Sequence, residues 1–389
     1  MKCGRTAYES GIVAIYGSAI SVTDFAVDLA REARAANASL ASIFFSQDDF
    51  DGRALAAAIG AHAPQLRYAA CSTAGEISPA GYAEGQIIAI LFPSDRFDAT
   101  AALIENLSTC AMDSIAGRVG ELRRQMEVSG GEERGATFAV LLIDGLSKTE
   151  ELVTSALYWG LDDIPLIGGS AGDNLHFEKT TLILNGEVRS DAAIIILVRS
   201  KVPFVVFKTD NFTPTGKKLV VTEAIPDERR VIEFNAEPAA DVYAEAVGVE
   251  PGSLGPLSFA SHPVVVRVGG EYYCRSIQKL NPDKSLSFFC AIDKGVVLTV
   301  AQPKGMVEST REKLRELSDQ LGGIDVVLGF DCVLRRLDAQ NRQSFRAIST
   351  LYKEQKVIGF GTYGEQYRSM HLNQTLTGIA FGTLKHAAE

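Results

Sequence analysis

Apolar residues recur every three to four positions in DFAVDLAREARAA (Asp24 to Ala36), DGRALAAAIGAHA (Asp51 to Ala63), TEELVTSALYWG (Thr149 to Gly160) and MVESTREKLRELSDQL (Met306 to Leu321), and each stretch predicts an amphipathic helix. Ser147 and Glu150, three residues apart, predict a capping box ahead of the third. Between these stretches, short runs rich in Val, Ile and Phe (ASIFFS, FAVLLID, AAIIILV, FVVFK, LVVTEA, VVVRV, VVLGF) read as strands. Helices and strands alternate, which predicts an α/β (mixed α+β) protein with mixed sheets.

The same order of elements occurs three times. Strand ASIFFS, a helix, strand RYAA, the turn CSTAGE (Cys71 to Glu76) and strand QIIAILF form the first copy. FAVLLID, a helix, IPLI, GGSAGD (Gly168 to Asp173) and AAIIILV form the second, and VVLGF, a helix, KVIG, FGTYGE (Phe360 to Glu365) and TLTGIAF the third. Copies one and three keep one register, Gly75–Glu76 against Gly364–Glu365 and Phe92 against Phe381, at a constant offset of 289 residues. The middle copy carries a longer hairpin, TLILNGEVRSD, in which Asn185 and Gly186 signal a type I′ turn.

The repeat bears on a motif. Residues 168–172, GGSAG, match G-x-S-x-G, the elbow that presents a serine nucleophile in α/β-hydrolases. Laid over the other copies, Ser170 falls opposite Thr73 and Thr362, whereas the first elbow position becomes Cys71 and Phe360. A hydroxyl present in triplicate points to a backbone hydrogen bond in the turn, and DNLHFEKTTLIL lacks the helix an elbow requires. A serine hydrolase is therefore the remote reading. The turns supply candidate pocket residues, Gly75, Glu76, Ser170, Gly172, Asp173, Gly364 and Glu365. Their carboxylates either accept backbone N–H groups or line a pocket and hold an amine. Phosphate is disfavoured, because no turn carries a phosphate-loop pattern and an acid closes each one.

A chain of 389 residues is too long for one compact unit. FTPTGKK gathers turn residues and charge, and places a boundary near Phe212 to Lys218, giving an N-terminal domain over 10–212 and a C-terminal one over 213–385. The net charge of -10 disfavours nucleic acid and anionic membrane as partners. The start has no apolar signal region, and the longest apolar run, Ala192 to Val198, is too short to span a bilayer, so a cytoplasmic protein is expected. Six scattered cysteines without C-x-x-C indicate neither a disulfide framework nor a zinc site.

Of the five histidines, His62 and His386 read as solvated, whereas His176, His262 and His371 lie near the turns or at the start of an apolar strand. A b-type haem needs one imidazole and an apolar cavity, and His262 with Phe259, Tyr272, Phe288 and Phe289 could supply both.

CSTAGE, GGSAGDNLHFEKT, VIEFNAEPAADVYAEAVG, HPVVVRVGGEYYCRSI and GFGTYGEQYRSMHLNQT, in this order, resemble the FIST family with its FIST N and FIST C domains, over roughly residues 10 to 383. The resemblance implies a non-enzymatic sensor of small ligands, for which amino acids have been suggested. The stand-alone chain with HPVVVRVGGEYYCRSI is most similar to the branch of nitric-oxide-sensing haemoproteins. That likeness implies haem b on His262, with His371 and His176 as alternative iron ligands, and a partner histidine kinase or cyclic-di-GMP enzyme. A haem-free sensor of an amino acid or other metabolite is the alternative it leaves open, as is a homo-oligomer.

Overall fold

The structure, a computed structural model, describes residues 2–129 and 135–383; His386 lies outside them. The four periodic stretches form helices at Val22–Ala35, Gly52–His62, Glu150–Leu161 and Met306–Leu321. Asn185 and Gly186 both take positive φ, at 50° and 95°, as a type I′ turn demands.

Each repeat is larger than its sequence pattern. It opens with an outer strand and a helix: Val13–Ser18 and Val22–Ala35, Phe97–Glu105 and Met112–Ser129, Phe204–Asp210 and Met306–Leu321. A first inner strand follows (Ala38–Phe45, Ala136–Asp144, Ile324–Cys332), then helical cover and a parallel second inner strand (Tyr68–Ser72, Leu166–Ala171, Val357–Thr362). A short hairpin leads to the third inner strand (Gln86–Pro93, Ala192–Ser200, Thr375–Gly382), which lies antiparallel between the outer strand and the first inner one.

The hairpins do not stay at home. Glu76–Ala83 of the first unit pairs with Val357–Thr362 of the third, Glu365–Leu372 of the third with Leu166–Ala171 of the second, and Leu182–Arg189 of the second with Tyr68–Ser72 of the first. The three sheets are thereby locked into a closed ring of exchange. Their inner faces meet in one core, where Phe44, Phe92, Phe138, Phe330, Phe360 and Phe381 gather. Their outer faces are covered by each unit's own helices, Phe25 and Leu55 in the first, Val119 and Val153 in the second, Leu314 and Ile348 in the third. Burial on both faces explains why AAIIILV is apolar at every position instead of alternating.

Residues 212–303 leave the third unit after its outer strand and re-enter at its first helix. FTPTGKK, the expected boundary, is the start of a long strand, Phe212–Ile225, whose pairing is irregular between Pro214 and Lys218. This insert has its own antiparallel sheet and a core around Tyr243, Phe259 and Phe288. Its helix Ala239–Val247 starts after Pro238 and stops at Gly248 in left-handed conformation, φ 74°.

The capping box at Ser147 and Glu150 does not form. The Ser147 hydroxyl donates to the Asp144 carbonyl, Thr149 holds the N-cap position without a side-chain bond, and Glu150 is drawn away to Arg229 of the insert.

Phe360 is fully buried and stacks on Phe44 of another unit at 4.5 Å and against Phe330 at 5.6 Å. Phe360→Ala should destabilise the protein by about 3–5 kcal/mol, because it empties a site shared by two sheets. Urea denaturation followed by far-UV circular dichroism measures this; a loss under about 1 kcal/mol would show that the core is not held in common.

Candidate functional site

The three turns meet where the exchanged hairpins cross. The same pair of backbone bonds recurs at each junction: Ala74 N–H to Gly361 O with Gly361 N–H to Gly75 O, Tyr363 N–H to Ser170 O with Ser170 N–H to Gly364 O, and Gly172 N–H to Ser72 O with Ser72 N–H to Thr181 O. These bonds fix the register, and it differs from the one the sequence suggests. Ser170 stands in the place of Ser72 and Gly361, one position from Thr73 and Thr362. Gly172 matches Ala74 and Tyr363, and Thr181 matches Gly75 and Gly364, so residues 173–180 are an excursion that the other two turns lack. Gly172 is needed for close approach, since a Cβ there would lie 2.9 Å from that of Ala74.

The carboxylates of the turns are absorbed by this architecture. Glu76 accepts from the Thr73 hydroxyl at 2.5 Å and from the Gln86 N–H at 3.0 Å. Glu365 repeats the pattern with Thr362 and with Thr375, whose N–H and hydroxyl bond its second oxygen. In the second unit the same service comes from a different residue, Asp144, which accepts from the Thr180 hydroxyl and the Asp191 N–H. Asp173 instead pins the excursion, accepting from the N–H groups of Phe177, Glu178 and Lys179 and from the Tyr363 hydroxyl. Burial pushes Glu76 up to about 7 and Glu365 up to about 8.

The junction of the second and third units is different in kind. Gln366 and His371 face each other across the third hairpin, and the Gln366 amide nitrogen donates to Ser170 Oγ at 3.0 Å and lies 3.3 Å from His371 Nδ1. Asn373 donates to the Tyr363 carbonyl at 3.3 Å. All four side chains are buried. Yet Gln366 Oε1, His371 Nε2 and Asn373 Oδ1 have no hydrogen-bond partner in the protein. The group surrounds Gly364, where an added Cβ would stand 2.2 Å from His371 Cε1 and 3.1 Å from Asn373 Nδ2. Burial pushes the His371 imidazole down to about 4, so it is neutral at pH 7. Its ring nitrogens then supply one donor and one acceptor.

The insert closes over this junction. Arg229 donates to Glu150 Oε2 at 2.7 Å, to Glu151 Oε2 at 2.5 Å and to the Phe289 carbonyl, while Ala291 N–H reaches Glu151 Oε1 at 2.6 Å. Arg275 Nη1 lies 3.5 Å from the His371 carbonyl. Phe177 of the excursion packs at a tilt against Tyr363 at 5.0 Å and against Phe289 of the insert at 5.9 Å, which joins three elements.

The three histidines are not brought together. His176 is exposed on the excursion beside Asp48, and His262 ends the short helix Pro256–Ser261 with Nδ1 3.1 Å from the Ser258 carbonyl. The aromatics expected around His262 separate: Phe259 and Phe288 fill the insert core, Phe289 packs with Tyr363, and Tyr272 lies by Phe212 and Cys274. Sequence reasoning missed Gln366, Asn373, Glu151, Arg229 and Arg275. Gln366 alone left a signal, as an amide next to Glu365 in a strand that the repeat fills with Ile77 in the first unit.

The chain is a three-unit α/β ring with an inserted sheet and a buried polar junction. The FIST N domain model matches residues 39–237 and the FIST C domain model residues 239–368. The chain belongs to the FIST family, whose domains are sensory modules for small ligands in signalling. No curated protein matches the chain. Among the described residues no helix is long and apolar enough to cross a membrane.

Glu365→Gln should keep the fold, because the amide nitrogen can donate to Thr362 Oγ1 and the amide oxygen can accept from Thr375. In the wild type the folded carboxyl holds its proton up to about 8, while the unfolded one releases it at the ordinary value of 4.5. The unfolded state therefore binds fewer protons across that window, and stability falls as pH rises through it, by at most about 1.4 kcal/mol per pH unit. Urea denaturation at several pH values should show the variant gaining on the wild type from acid to alkaline; parallel curves would refute the assignment.

Proposed function

We propose that the protein senses a small polar metabolite, of which an amino acid is the type case, held at the junction of the second and third units. The observation that carries this reading is the set of three buried polar atoms without protein partners on neighbouring side chains, His371 Nε2, Gln366 Oε1 and Asn373 Oδ1. Buried polar groups in native proteins are almost always hydrogen-bonded, so such a cluster calls for a bound partner. With the Gln366 amide donating to Nδ1, the neutral imidazole presents an N–H at Nε2 beside two carbonyl acceptors. A ligand with one acceptor and at least two donors is the complement, and an amino acid's carboxylate and ammonium meet that requirement.

Binding there also explains an output. The third hairpin, the excursion and the insert all touch the site, and the insert is anchored by Arg229 on Glu150 and Glu151. A ligand that binds one insert position better than another shifts the balance between them. A partner signalling protein, such as a histidine kinase or a cyclic-di-GMP enzyme, would read the shift.

Haem b with nitric oxide is the second reading, and it rests on the same residue. A buried neutral imidazole with a free ring nitrogen is the form that ligates iron. His371 is such a group, whereas its neighbours Gln366, Asn373 and Ser170 are polar and suit a small hydrogen-bonding ligand better than a macrocycle. If haem binds, it supplies the iron that takes nitric oxide, and His371 would hold that iron.

A thermal-shift screen of amino acids and related metabolites against the full chain tests both. The expected result is a concentration-dependent rise in melting temperature with one chemical group, weakened roughly tenfold or more by Gln366→Leu and by His371→Ala. A Soret band after reconstitution with haemin, lost in His371→Ala, would move the conclusion to haem. Stabilisation that both variants retain in full would overturn the site.

A further inference from the structure

Away from the junction, a groove of about 800 Å³ opens where three sheets come to an end. It is walled by Phe204–Asp210, by Glu271–Cys274 and by Met370–Leu372, each the outermost strand of its sheet. Four consecutive residues, Val205 to Lys208, line it. Neighbours along a strand point to opposite faces, so a groove that meets four in a row runs along the strand's edge and not over one face. Among the described residues, Phe204–Asp210 has Thr375–Gly382 on one side and no strand on the other. Its outward N–H and C=O groups are free to pair with an added strand.

The charge of the groove is opposite to that of the chain. Lys208, Lys313 and Arg368 line it against one carboxylate, Glu271, in a protein of net charge -10. Lys208 lies 3.6 Å from Glu271 and 4.6 Å from the Tyr273 ring. Arg368 stacks on Tyr367 at 5.3 Å and forms no ion pair among the described residues. At one end stands Tyr158, beside Trp159, the one tryptophan of the chain, which is 77% exposed.

We propose that this groove docks an extended acidic segment of a partner protein. The segment adds as a strand to the edge of Phe204–Asp210, sets its carboxylates against Lys208, Lys313 and Arg368, and packs alternate apolar side chains on Tyr158 and Tyr273. Main-chain pairing supplies the affinity and the cations select acidic sequences. The groove also includes the tip of the third hairpin, Tyr367 to Met370, which adjoins the Gln366–His371 pair. The docking site is independent of the identity of the small ligand.

The probe is an N-acetylated octapeptide alternating glutamate and valine, added to the full chain, with Trp159 fluorescence as the signal. Saturable quenching or enhancement is expected, reduced roughly tenfold or more by Arg368→Glu, a surface change whose circular dichroism and melting should match the wild type. The same peptide N-methylated at every second residue keeps its charge but cannot complete the ladder, and should bind far more weakly. Equal binding of the methylated peptide, equal binding of a lysine–valine octapeptide, or no saturable signal would each overturn the proposal. Sedimentation velocity adds one more: a dimer that the peptide does not dissociate would assign the edge to a second copy of the chain.

Discussion

The exchange of hairpins among the three units is the constraint on which everything else rests. Buried backbone N–H and C=O groups must be paired, and in each turn the partner belongs to a different unit: Gly361 for Ala74 and Gly75, Ser170 for Tyr363 and Gly364, Ser72 and Thr181 closing the ring. No unit can satisfy its own turn. The inner faces of the three sheets must therefore meet, and Phe44, Phe138 and Phe360 of three separate units end in one core. A buried carboxylate braces each turn with two or more donors, from Glu76, Glu365 and Asp144.

Repetition makes the scaffold, and departures from repetition make the junction of the second and third units unlike the others. Where the first unit has Ile77 and Tyr82 on its hairpin, the third has Gln366 and His371, and the second interrupts its turn with residues 173–180. The excursion holds Asn174, Leu175 and Phe177 at positive φ, a strained backbone kept in place by three N–H bonds to Asp173 and by the Tyr363 hydroxyl. The excursion packs against Tyr363 of the third unit, next to Asn373, which donates to the Tyr363 carbonyl. Such local conflict with the logic of folding is what motivates the proposal of a binding site here.

The insert packs against that junction. Its docking depends on Arg229, buried between Glu150 and Glu151. A buried ion pair adds little net stability, because both partners lose their hydration, but breaking it leaves an uncompensated charge. The contact is thus specific in position without being strong.

Much of this was legible in the sequence. Helical and strand periodicity, the three copies, the Asn185–Gly186 turn and the Pro238-to-Gly248 helix all follow from local chemistry, because side-chain spacing and backbone preference act within a few residues. The offset of 289 residues located two of the turns, and the missing helix after Ser170 removed the nucleophile reading. What only the tertiary structure decided is which unit pairs with which, the true register of Ser170, and the split of the third unit by residues 212–303. These depend on bonds between segments far apart in the chain, such as Gly172 to Ser72, whose partners carry no sequence mark of each other. The site followed the same rule. His371 could be named as a histidine, but its burial, its loss of charge and its company of Gln366 and Asn373 arise from packing, which no stretch of sequence contains by itself.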